Sequence, residues 1–302
     1  MNYTRTCLAI LSLVIGSNAH ADLRIFACEP EWQSLAQEIG GDAINASSAT
    51  NALQDPHYIE ARPSLIAKVR RADLVICSGA ELEIGWLPML LKKANNRKVQ
   101  PGSKGFIEAS ALVQRLEIPE SVDRSQGDMH PRGNPHVQAN PHNIVLIAGV
   151  LARRMAELDN KKAAHYFAGL DDFLGRWNRA LMGWEERARP LAGKRVITHH
   201  KSWAYLADWL ALEQVAYLEP VPGIPPSATH LARLLEQLGD DGRGADLIIH
   251  SPYQSTKASD WLSERTGIRS VILPLTVGGT DQARDLFSLF DDVLNRLLGE
   301  QQ

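Results

Sequence analysis

Short runs rich in β-branched residues alternate along this chain with longer stretches whose apolar residues recur every three or four positions. Residues 23–27, 43–46, 73–76 and 105–108 form one set of strand-like runs, and residues 194–198, 214–217, 246–249 and 270–273 form a second. Residues 63–71, 231–238 and 261–265 lie between them with helical spacing. Alternation of this kind is the signature of parallel sheets covered by helices. The pattern therefore predicts an α/β protein of two lobes, each a four-stranded parallel sheet flanked by helices.

The middle of the chain carries the clearest helical signal. Phe167, Leu170, Leu174, Trp177, Leu181 and Trp184 follow one another at intervals of three and four, and Pro190 stops the pattern. A helix over 160–189 would be about 45 Å long, enough to join both lobes as a rigid linker. A coiled-coil dimer seam is the competing explanation. The heptads are few, and two tryptophans in the stripe suit packing against sheet-bearing lobes better. A shorter helix over 144–158, with Ile144, Ile147, Leu151, Met155 and Leu158 on one face, precedes it. The expected division is an N-terminal lobe over 22–159, the linking helix over 160–189 and a C-terminal lobe over 190–302.

Residues 1–21 stand outside this scheme. Arg5, the apolar stretch from Leu8 to Ile15 and the small-residue site Ala19-His20-Ala21 read as a secretory signal cleaved after Ala21. No later stretch approaches the roughly 20 apolar residues of a membrane helix, so the expectation is a soluble periplasmic protein. Cys28 and Cys77 each end a strand-like run, and an oxidising compartment would let them pair if those strands are neighbours. Two buried thiols are the alternative. The net charge of −3 comes without a dense basic tract, which gives nucleic acid no electrostatic footing.

The chain has ten histidines, one of them inside the expected signal. Ligands of α/β sheets collect at the carboxyl ends of strands, which draws attention to His57, His199, His200 and His250, and to His136 in the connection after the fourth strand. Any one of these alone is readily a hydrogen-bonded structural histidine. Three share a setting, because Asp55-Pro56-His57-Tyr58, Asn134-Pro135-His136-Val137 and His200-Lys201-Ser202-Trp203-Ala204-Tyr205 each sit at a strand-to-helix junction.

These segments resemble the three metal-ligand segments of the cluster A-I solute-binding proteins, the zinc and manganese receptors of ABC importers. The resemblance runs in order over nearly the whole mature chain, through the strand around Ala72-Asp73-Leu74-Val75, the long middle helix and a closing helix over 281–298. Gly127-Asp128-Met129-His130-Pro131 and the run from Glu219 to Pro226 bring it nearest to zinc receptors without a long histidine-rich insertion. It implies two lobes joined by a rigid helix, a metal in the cleft between them, and ligand roles for His57, His136 and His200. Three imidazoles favour zinc, whereas manganese receptors of this fold resemble a site with two histidines and two carboxylates.

A tetrahedral site needs a fourth donor. Many relatives supply an aspartate just after the last strand, but here Val271-Ile272-Leu273-Pro274-Leu275 has none. The nearest acid is Asp281, which two glycines could let bend back; a helix-capping role for Asp281, or a water as the fourth ligand, stays open. His130 is either a transient zinc collector or a solvated loop residue, and His142, His230 and His250 read as structural or supporting.

The function expected is thus a monomeric periplasmic receptor that captures Zn2+ and hands it to the membrane permease of an ABC importer, with a periplasmic metallochaperone as an optional further partner. A manganese receptor of the same fold and a zinc hydrolase with an open three-histidine site are the alternatives. No His-Glu-x-x-His helix or Gly-x-Ser-x-Gly elbow is present, so the chain is read as a non-enzyme. An adhesin on the same fold is a third alternative, disfavoured because neither early cysteine sits where a lipid anchor would be attached.

Overall fold

The structure is a computed structural model that describes residues 22–121, 127, 129–239 and 244–300. The expected signal, residues 1–21, lies outside the described residues.

Eight strands divide into two sheets of four. The first contains β1 (Leu23–Ala27), β2 (Ile44–Ser48), β3 (Leu74–Cys77) and β4 (Phe106–Glu108), in the order β2-β1-β3-β4. The second contains β5 (Arg195–Thr198), β6 (Glu213–Tyr217), β7 (Leu247–His250) and β8 (Arg269–Ile272), in the order β6-β5-β7-β8. Every pairing is parallel. Central strands such as β3 (Leu-Val-Ile-Cys) and β7 (Leu-Ile-Ile-His) are buried along their whole length, as expected of parallel strands covered on both faces. Cys28 follows β1 and Cys77 ends the adjacent β3, and the two are joined by a disulfide across a Cα separation of 4.8 Å, which settles the open pairing.

Helices α1 (Pro30–Gly40), α2 (Pro63–Arg71), α3 (Leu87–Ala94) and α4 (Pro141–Leu158) belong to the first sheet's half of the chain. α6 (Ala204–Leu210), α7 (Ala228–Leu238), α8 (Lys257–Thr266) and α9 (Leu286–Leu298) belong to the second. Between them runs α5 (Ala163–Ala188), extended at either end by single tighter turns over Asn160–Lys162 and Arg189–Leu191. The sequence's apolar stripe is shifted at its start. Phe167 is 44% exposed, and the inward positions there are Tyr166 and Phe173. The first half of α5 turns this face to α1 and α4, and a Cβ on Gly169 would lie 2.1 Å from the Ile39 carbonyl oxygen, so glycine permits the contact with α1.

The second half of α5 meets the C-terminal helix. Trp177 lies 5.0 Å from Phe287 and Trp184 lies 5.1 Å from Phe290 between ring centroids. The two indole N–H groups donate to the Pro141 carbonyl at 3.0 Å and to Asp291 at 2.9 Å. One continuous buried cluster thus runs from Leu23 and Ile76 of the first sheet through α5 to Val196 and Ile249 of the second. The closing helix is shorter than expected. It starts at Leu286, where Asp285 and Ser288 form a capping box, and not near residue 281. Among the described residues no helix is long and apolar enough to cross a membrane.

Candidate metal centre

The connections that follow the carboxyl ends of the strands converge between the sheets. His57 lies in the connection after β2, His136 after β4 and His200 two residues beyond β5. Each offers one ring nitrogen, and the three nitrogens lie within 4.8 Å of one another. Ring centroids are 5.4 Å apart for His57 and His200, 5.8 Å for His57 and His136, and 6.2 Å for His136 and His200. All three residues are buried.

Local chemistry aims two of the three rings. Asp55 Oδ1 accepts from the His57 backbone N–H at 3.0 Å and stands 2.7 Å from its Nδ1. Pro56 fixes the backbone between them, and its carbonyl accepts from the Trp86 indole at 2.9 Å. An ionised carboxylate only accepts, so the proton of neutral His57 sits on Nδ1 and the Nε2 lone pair is free. The same logic operates at His200, whose Nδ1 lies 2.7 Å from Glu219 Oε2. That oxygen also accepts from the Gly223 backbone N–H at 2.9 Å. Burial alone would raise Asp55, but its hydrogen bonds to His57 and the nearby imidazoles outweigh that and lower its pKa.

His136 has no such partner. Its backbone N–H donates to Asn134 Oδ1 at 3.0 Å, yet both ring nitrogens are buried without a hydrogen bond. Asn134 ties this segment to the other half of the molecule: its side chain donates to the Lys201 carbonyl at 2.7 Å, and its own carbonyl accepts from the Tyr205 hydroxyl at 3.1 Å. Burial, reinforced by the neighbouring imidazoles His57, His200 and His130, holds His136 well below the ordinary histidine pKa. A buried, unpaired imidazole costs on the order of 1–3 kcal/mol unless something else occupies its lone pair.

A fourth imidazole, outside the trio whose nitrogens lie within 4.8 Å of one another, stands against His57. His130 Nε2 is 3.2 Å from His57 Nε2, and its ring centroid is 5.3 Å from that of His57 and 6.5 Å from that of His136. Burial, with the His57 and His200 charges next, lowers its pKa to about 3. Two ring nitrogens 3.2 Å apart are placed to share a cation.

Asp281 stands elsewhere. It is exposed and outside the group of converging nitrogens, because the turn around it is held by its own contacts: Gly278 N–H donates to the Ala283 carbonyl at 2.6 Å, and Thr280 bonds to Asp292 at 2.5 Å. The helix-capping role falls to Asp285 instead. His142 approaches Glu185 at 3.2 Å on the surface, and His230 bonds to the Tyr217 carbonyl at 3.1 Å. His199 and His250 are buried, and burial lowers both pKa values. Asp55 and Glu219, which orient two rings, were not singled out by the sequence. The signal available was an acid two residues before a candidate ligand within a proline turn.

A second group, Cys28, Cys77 and Glu83, also has ligand atoms within 4.8 Å of one another, but the disulfide engages both sulfurs.

Comparison with known proteins bears on the fold and the family. The family model described as "ZnuA: Zinc-uptake complex component A periplasmic" matches residues 25–298. The zinc-binding lipoprotein AdcA of Streptococcus pneumoniae is 24% identical over 298 residues, which cover 96% of this chain and 58% of AdcA. The manganese ABC transporter substrate-binding lipoprotein scaA of Streptococcus gordonii is 26% identical over 160 residues, covering 52% of this chain and 48% of that protein. The chain therefore spans about half the length of these relatives. A crystal structure of ZnuA superimposes with a TM-score of 0.77 at 24% identity, over 93% of this chain and 100% of that one, which establishes the shared fold.

Proposed function

From the membership of this chain in the family of periplasmic zinc-uptake components, we propose that it is a receptor that captures Zn2+ between its lobes and delivers it to the membrane permease of an ABC importer. The observation that carries this reading is the convergence of His57, His136 and His200, each with a ring nitrogen within 4.8 Å of the others, from both halves of the chain. His130 is the proposed fourth donor, in preference to Asp281, since its Nε2 already stands against that of His57.

Metal choice follows from the donor set. Imidazole nitrogens suit zinc, while manganese favours carboxylate oxygens, and the converging group contains no carboxylate. The relatives include receptors named for zinc and for manganese, so the distinction falls to experiment. Asp55 and Glu219 act behind the ligands: they fix the tautomer, make each imidazole a better donor, and supply negative charge near the cation. A hydrolytic reading would need an open coordination position, which the His130 side chain fills in this proposal.

Metal analysis of protein purified without added zinc, followed by competition against a chelator, tests the proposal. Near one equivalent of zinc, and loss of tight binding in His57→Ala, His136→Ala and His200→Ala, are expected. Preferential retention of manganese would overturn the metal assignment, and undiminished binding in the three variants would overturn the site.

A further inference from the structure

His130 approaches the cluster from a loop, and a distinct set of contacts holds that loop down. Arg132, two residues on, places Nη1 2.8 Å from Glu108 Oε1 at the end of β4. The same oxygen accepts from the Ala80 backbone N–H at 2.9 Å. Ala80 lies in an unusual corner, where Gly79, Ala80 and Glu81 adopt φ values of 78°, 48° and 71° in succession. Side-chain-bearing residues rarely take that conformation, and three in a row persist only when neighbours enforce it. Glu83 does so from one side, accepting from the Gly79 N–H at 3.2 Å, and Glu108 from the other. A Cβ on Gly79 would fall 1.9 Å from Glu108 Cγ, so the glutamate side chain lies directly across the glycine.

The loop is braced further along its backbone. Gly133 N–H donates to the His130 carbonyl at 3.0 Å, and Arg115 donates to the Arg132 carbonyl at 3.0 Å. Gly127 passes so near the other lobe that a Cβ there would lie 2.2 Å from the Pro222 carbonyl oxygen. Among the described residues, Arg132 and Glu108 form the side-chain ion pair between this loop and the first sheet, and His130 stands two positions away on the same turn.

We propose that Arg132 is a positioning residue for cargo retention: through Glu108 it clamps the loop that carries His130 and so sets the rate at which the ion leaves. The inference rests on the reading of His130 as a donor to that ion. In this arrangement the three inner imidazoles define where the cation sits, and the Arg132–Glu108 pair governs how often the fourth swings aside. The pair is half-exposed, with side-chain accessibilities of 46% and 22%, so its contribution is modest and suited to a latch that must open.

The experiment measures release of zinc from the loaded full chain into excess chromogenic chelator. Arg132→Met and Glu108→Gln should each accelerate release about fivefold, Arg132→Lys should restore most of the slow rate, and the double variant should release no faster than either single one. His130→Ala should release faster still, and adding Arg132→Met to it should change nothing. Unchanged release in both Arg132→Met and Glu108→Gln would overturn the latch. So would equal acceleration by Arg132→Met with and without His130, which marks general loosening. Parental release from His130→Ala would instead reject the fourth-donor reading, and cobalt-substituted protein would register that loss independently in its visible absorption.

Discussion

Two clusters of like, buried, titratable groups lie in the same molecule and resolve the same electrostatic problem in opposite ways. At the convergence of the strand ends, His130 is pushed down to about 3 and His136 well below the ordinary value, by burial first and by neighbouring imidazoles next. Within the first lobe, burial raises Glu31 and Glu83 to about 7 and Glu29 well above its ordinary value, with the charges of Glu83 and Glu31 adding to the last. Both sets avoid charge. The imidazoles do so by giving up protons, which leaves lone pairs open to a cation, whereas the carboxyls do so by holding protons more tightly, which lets Glu29 and Glu83 hydrogen-bond to each other, even though the bonds they accept from Ser78, Gly79 and Thr276 favour the ionised form. Low dielectric alone therefore does not make a metal site; it makes one where the neutral form of the buried group is a base.

The contrast can be broken most forcefully at His136. His136→Ala should lower zinc affinity by more than about a hundredfold, beyond the range typical of residues that only support a ligand, while Glu83→Gln should leave it within about twofold. Chelator competition on both variants reads the difference, and a comparable loss in Glu83→Gln would erase it.

A smaller effect is expected from the groups that orient the rings. Glu219→Gln and Asp55→Asn should each weaken zinc binding by about tenfold, because the imidazole keeps its place but loses the carboxylate behind it. Titration calorimetry would detect the change, and unaltered affinity in both would remove the tautomer argument.

The two clusters should also tilt the stability of the metal-free protein in opposite directions. Glu31 and Glu83 bind protons more tightly folded than unfolded, so their contribution is complete below about pH 4.5 and declines as pH rises toward about 7. His130 and His136 bind protons more weakly folded, so their contribution is lost as pH falls below about 6.5. Melting curves across this range should show Glu83→Gln flattening the decline on the alkaline side and His130→Ala flattening it on the acid side. Parallel profiles for parent and variants would contradict the assigned directions.

The strands and the three converging histidines were legible in the sequence because their signals are local. A β-branched run such as Leu74 to Cys77 and a proline turn such as Asp55-Pro56-His57 declare themselves within a few residues. The disulfide was not decidable in advance, since it depends on β1 and β3 being neighbours. Phe167 was placed on the wrong face because a stripe read as straight ignores where each half of a helix finds its partner. Asp281 drew attention by nearness in sequence to the last strand, while the contacts that hold its turn away come from Ala283 and Asp292. The place of His130 beside His57 was not legible for the converse reason. Nothing next to it in sequence shows that Arg132 pairs with Glu108.

The aromatic spine of Trp177, Trp184, Phe287 and Phe290 has one consequence for how such a receptor would communicate. On the proposed reading, halves joined through a shared interior would not close like a shell around their cargo, so the outline of the molecule would carry little news of whether it is full. A transporter confronting it would have to sense the rim itself, where the His130 loop would settle on the ion.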